Sequence, residues 1–120
     1  MSRSARFGHR QHVEVTWQAV RRFGRAAAIT LVSDGIQRTA RYAGAPQKYH
    51  ATVSRAWVEL VAHHAIGGPD RFDAFADAYP LLLDKRLLGR HYASSTLASA
   101  AARTGWVEPD LRPLPAPRGS

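Results

Sequence analysis

Apolar residues in this chain recur at three- and four-residue spacing, and nowhere do they alternate strictly over four or more positions between turn signals. That pattern limits the fold to packed helices. Between Gly8 and Phe23, the positions Val13, Trp17, Val20 and Phe23 mark a first helix with one buried face. Gly24 breaks it. Ala26 to Tyr42 reads as a second helix with Ile29, Val32, Ile36, Ala40 and Ala43 inward and a kink expected at Ser33-Asp34-Gly35. Gly44-Ala45-Pro46 stops that helix, because glycine suits the residue after a helix and proline cannot continue one. A third helix, about Gln47 to Ile66, carries His50, Val53, Trp57, Leu60, Val61 and His64 on one stripe and ends at Gly67-Gly68.

Pro69-Asp70 opens a short fourth helix with Phe72, Phe75, Ala76 and Tyr79 on one face, and Pro80 ends it. Residues 81–92 are apolar and irregular. Ser94 or Ser95 is the expected cap of a last helix, Thr96 to Arg103, closed by Thr104-Gly105. The expected fold class is all-α, a small up-and-down bundle of four to five helices in a single domain over residues 1–108. Prolines at 109, 113, 115 and 117 make residues 109–120 an extended Pro-rich tail.

The chain has no cysteine, which excludes disulfides, thiolate zinc sites, iron–sulfur clusters and cysteine nucleophiles. Uncharged stretches such as Ala26 to Ser33 and Tyr92 to Ala102 are well short of the roughly 18 residues a spanning helix needs, so no membrane span is expected. The basic start runs into an amphipathic pattern rather than an apolar leader, and a cytoplasmic address is the default expectation. The net charge of +8 points to anionic partners. Residues 1–60 hold ten Lys and Arg against three acids, yet no basic run exceeds two residues, so no arginine-rich motif stands out.

The six histidines carry more information. His9 and His12 stand three residues apart, on one helix face with Cβ atoms about 5–6 Å apart. If helices 1, 2 and 3 run up, down and up, His50 at the start of helix 3 arrives at the same pole. His91 and Tyr92 reach it from the irregular segment. Three neutral imidazoles with an open position suit a divalent transition metal such as zinc, copper, nickel or iron, or a polar small molecule in its place. Tyr49, Thr52, His91 and Tyr92 are then the residues expected to orient the rings. His63 and His64 lie about 20 Å further along helix 3 and read as cations at its C-terminus. Histidines near helix N-termini also serve as caps or hydrogen-bonding core residues, so the same positions admit a purely structural role. No base with a clear spacing signature accompanies them, and no catalytic residue is assigned.

Phe7-Gly8-His9-Arg10-Gln11-His12, then Trp17, Tyr49-His50-Ala51-Thr52, His91-Tyr92-Ala93-Ser94-Ser95-Thr96-Leu97 and Trp106-Val107-Glu108-Pro109-Asp110 form a set. Together they resemble a group of small, uncharacterised bacterial all-helical proteins. The shared pattern is F-x-H-x-x-H, Y-H-x-T, Y-x-S-x-x-x-L and W-V-x-P-D, and it spans nearly the whole chain. The resemblance brings His9, His12 and His50 together as motif residues and implies no particular activity. Two places depart: glutamate often stands between the histidine and threonine of Y-H-x-T in that group, where this chain has Ala51, and Leu97 follows Ser94 after two residues where the pattern has three.

Three functions remain open on the sequence. The first is metal or small-molecule binding at a three-histidine pole, with or without turnover. The second is a helical module that binds nucleic acid or an acidic partner through the arginines of helices 1 and 2. The third is a structural protein whose tail docks on a partner or on a second copy in a homodimer.

Overall fold

The computed structural model describes residues 8–115. Phe7, the basic residues Arg3, Arg6 and Arg118, and the tail beyond Pro115, with Pro117, lie outside the described residues. Three long helices form the centre: α1 (His9–Phe23), α2 (Arg25–Tyr42) and α3 (Ala51–Ala65). Each packs against the other two. The described chain contains no strand, and the all-α bundle expected from the periodicity is the fold.

The α1 stripe works as its spacing predicts, with Val13, Trp17 and Val20 buried. Thr16 is buried with them because its hydroxyl donates to the His12 carbonyl one turn back at 2.8 Å, which satisfies the polar group within the helix. Phe23 is the exception on this stripe: it is 56% exposed, with the Arg22 guanidinium over its ring. Gly24 has φ 88°, a conformation that L-residues rarely adopt. Its amide closes α1 on the Val20 carbonyl, and its own carbonyl accepts from Ala28 in the first turn of α2. One residue therefore ends one helix and starts the next.

The helix α2 runs unbroken through Ser33-Asp34-Gly35. Ala28, Val32 and Ala40 are buried, Ile29 and Ile36 are half-buried against the core, and Ala43 is exposed beyond the helix end. Gly44, at φ 72°, closes the helix with an Ala45 amide bond back to Ala40.

The start of the third helix differs from the sequence expectation. Pro46–Lys48 forms a single 3-10 turn, Tyr49 and His50 are extended, and α3 begins at Ala51 with His50 as its cap. Proline starts a turn readily, but the stretch leaves it before an α-helix can form. The α3 helix is also buried on nearly every side, including Ser54, Ala56, Val58 and Glu59, because α1, α2 and α6 pack around it. The single stripe of the periodic reading understates this.

After α3 the chain is a series of short elements. The helix α4 (Phe72–Ala78) lays Phe72, Phe75 and Ala76 on the core, and two 3-10 segments follow at Pro80–Leu83 and Lys85–Arg90. The last helix of the sequence reading is two pieces, α5 (Ser94–Leu97) and α6 (Ala100–Thr104). Ser99 divides them, because its hydroxyl donates to the Thr96 carbonyl and accepts from the Ala102 amide, which starts a new helix. The bundle thus has three long helices with the shorter α-helices following them along the chain.

Candidate functional site

Of the three candidate histidines, His9 and His12 are neighbours on α1 and His50 caps α3. His9 Nε2 donates to the Leu82 carbonyl at 2.9 Å, and its ring meets Trp57 edge-on at a centroid distance of 4.5 Å. This pins the start of α1 to the 3-10 segment. His12 lies half-buried nearby, its ring centroid 6.3 Å from that of His9. Burial, helped by the neighbouring His9, lowers its pKa to about 4, so the ring is neutral at pH 7.

His50 is fully engaged. Its Nδ1 accepts from the Val53 amide at 3.1 Å, which caps α3, and its Nε2 donates to the Leu97 carbonyl at 2.7 Å. Both nitrogens are used, the first by an orphan amide of the helix start and the second by the end of α5. Among the described residues, no group of three or more His, Asp or Glu side chains is placed to hold a metal ion. His50 precedes the helix rather than riding on it, so its ring turns back onto the first turn of α3.

The four residues expected to orient those rings, Tyr49, Thr52, His91 and Tyr92, divide in the same way. Tyr49 is half-buried in the extended link before His50. The other three hold the C-terminal segment. The fully buried Thr52 hydroxyl donates to the Gly105 carbonyl at 2.7 Å and accepts from the Val107 amide at 3.1 Å. Tyr92 donates to the Val107 carbonyl at 2.7 Å; burial first, and the Glu108 carboxylate second, push its pKa up to about 12. His91 Nδ1 donates to the Arg112 carbonyl, and the His91 carbonyl accepts from Leu111. Asp110 adds two more bonds, from the Ala93 amide and the Thr96 hydroxyl. These motif residues fasten one another: Y-H-x-T and the 91–97 segment grip residues 105–112. The tail begins as a strap bound to the bundle.

That strap passes over a polar cluster that the sequence did not reveal. Glu59 on α3 is only 9% exposed, and its Oε2 accepts from Arg25 Nη1 at 2.9 Å and from Arg55 Nε at 3.3 Å. Arg55 also lies over the Trp106 ring of the strap, 4.3 Å from its centroid. Arg55 and Glu59 stand one helical turn apart, which the sequence does show, but Arg25 comes from the start of α2 and no spacing rule links it. The remaining arginines of α1 lie on rings or carbonyls. Arg10 covers Phe72 and reaches Asp73, and Arg21 covers Trp17 and donates to the Pro69 carbonyl.

A second cationic group lies at the end of α2. Arg38 and Arg41 are on its last turns, and Lys48 follows in the 3-10 turn that packs against α2. An Arg103 guanidinium nitrogen donates to the Gln47 carbonyl, which brings α6 to the same turn. None of the four makes an ion pair among the described residues. Tyr42, between Arg38 and Lys48 in the chain, is 90% exposed.

His63 and His64 occupy the last turn of α3, as expected from the sequence, with the His64 ring against Tyr79 at 4.5 Å. No helix among the described residues is long and apolar enough to cross a membrane. No protein-family model matches the chain, and neither a curated protein nor a solved structure matches it.

Proposed function

We propose that the protein is a binding module for a polyanion, a single nucleic-acid strand, engaged at the end of α2 by Arg38, Arg41, Lys48 and Arg103. The observation that carries this reading is Tyr42, a large ring 90% exposed beside cations that no acid neutralises among the described residues. Favourable placement in a last helical turn accounts singly for Arg41, Lys48 and Arg103, but it does not account for a ring left in water beside them. Guanidinium and ammonium groups hold phosphates, and an exposed aromatic supplies a face on which any base can stack.

Anisotropy of a labelled single-stranded oligonucleotide tests this. Affinity should fall steeply between about 50 and 200 mM salt, with a log–log slope of about −0.7 per phosphate contacted. Arg41→Gln with Lys48→Gln should flatten the slope, and Tyr42→Ala should weaken binding at unchanged slope. Absence of binding at low salt, or indifference to all three changes, overturns the reading.

A divalent metal at His9, His12 and His50 is the second reading, favoured by one observation: His12 is held neutral beside His9, and a neutral imidazole is a ligand. It requires His50 to give up the Val53 amide at Nδ1, the nitrogen that would bind the metal, while Nε2–H keeps its bond to the Leu97 carbonyl. Calorimetric titration with zinc and nickel decides it, with His63→Ala/His64→Ala as the control that should leave uptake unchanged.

A further inference from the structure

Between the strap and the bundle lies a cleft of about 470 Å³, within the range of roughly 300–1,000 Å³ typical of small-molecule sites. Arg25, Arg55 and Glu59 form one side, and Trp106, Leu114 and three prolines of the tail form an apolar wall. Glu108 also lines it and accepts from the Trp106 indole N–H at 2.9 Å.

The charges in this cleft sum in an informative way. Glu59 lies between both guanidinium groups through a single oxygen, so this trio keeps one net positive charge. One nitrogen of each guanidinium donates to Glu59, although each group carries five N–H donors in a planar fork suited to a carboxylate. The Nε of Arg25 is buried and has no hydrogen-bond partner among the described residues. A buried donor without an acceptor is costly, which favours an occupant that supplies one. Glu108 is the opposite term: an exposed carboxylate with a fixed position on the strap. One surplus cation on one side, one anion on the other and an apolar wall between them complement a molecule that carries both signs.

We infer that the cleft binds a small zwitterion of the amino-acid type, with its carboxylate on Arg25 and Arg55, its ammonium at Glu108 and its apolar side chain against Trp106 and the proline wall. The residues differ from those of the proposed nucleic-acid surface, and the two readings stand or fall separately. Trp106 is the reporter, because its indole N–H lies in the cleft wall while Trp17 and Trp57 are in the core.

The experiment follows the Trp106 indole N–H resonance of the full chain during titration with L-phenylalanine, 3-phenylpropionate, which lacks the ammonium, and phenethylamine, which lacks the carboxylate. L-Phenylalanine should shift the resonance saturably, and each analogue should bind at least about tenfold more weakly, the loss of one paired charge. Glu108→Gln, an exposed change that keeps an acceptor for the indole, should weaken L-phenylalanine about tenfold and leave 3-phenylpropionate unchanged. No saturable shift with L-phenylalanine overturns the inference. So does an analogue that binds as tightly as L-phenylalanine, or a Glu108→Gln protein that binds L-phenylalanine with undiminished affinity.

Discussion

The Thr52 hydroxyl and the Val107 amide lie 3.1 Å apart, across 55 positions of sequence, and the same hydroxyl donates to Gly105. One small side chain on α3 thus satisfies a backbone donor and a backbone acceptor on either side of Trp106. The strap has little regular structure to hold it, so these bonds, with those of Tyr92, His91 and Asp110, take the place of a helix's internal ladder.

Thr52→Val keeps the shape and removes both bonds, leaving the Gly105 carbonyl and Val107 amide unsatisfied. A loss of about 2 kcal/mol in urea unfolding is expected. Limited proteolysis should begin within residues 106–112, while far-UV circular dichroism keeps its helical signature.

His12 gives the protein an acid-sensitive element. Its folded pKa, about 4, lies below the unfolded value of 6.5, so the unfolded chain takes up the proton first. The stability this represents is fully present above pH 6.5 and is lost as pH falls from there toward 4. Its size is about 3 kcal/mol by linkage. His12→Gln should flatten the dependence of Tm on pH across that window relative to the native protein.

His50 acts as a cap and a cross-link. His50→Ala should cost about 1–2 kcal/mol, from the lost cap on α3 and the stranded Leu97 carbonyl. His50→Asn, whose side chain can accept from the Val53 amide but is too short to span the second bond, should recover part of it. Equal losses for the two variants would show that the cap contributes nothing.

Glu59→Gln removes the charge that lies between Arg25 and Arg55. Two guanidinium groups then face one another with a neutral acceptor between them, and a loss of about 2–3 kcal/mol is expected, less than for a fully buried pair because Arg55 is partly exposed. The effect should shrink at high salt, which screens the repulsion. Chemical denaturation at two ionic strengths checks both parts.

The helices of this fold are written in the sequence because each carries its own period, and Val13, Trp17 and Val20 needed no knowledge of their partners. Boundaries were less legible where two local preferences compete: Pro46 favours a turn and Ala51 a helix, and the residues between them settle as a 3-10 turn and an extended link. The motif positions were visible, but their roles were not. His50, Thr52, His91 and Tyr92 look like a chemical cluster when read along the chain, whereas each donates to a backbone carbonyl 15 to 53 residues away. Backbone acceptors carry no residue identity, so a sequence cannot advertise them. The Arg25–Glu59–Arg55 cluster was hidden for a related reason, since only the packing of α2 on α3 brings Arg25 to the acid.

The single-residue junction at Gly24 sets the phase between two helices. Adding one residue there would rotate α2 by about 100° around its own axis relative to α1. Val32 and Ala40 would swing off the core and the exposed Leu31 toward it, or the hairpin would have to unwind by a turn. The length of this junction is therefore locked to the hydrophobic pattern of α2, and insertions that loops usually accept would here scramble the interior.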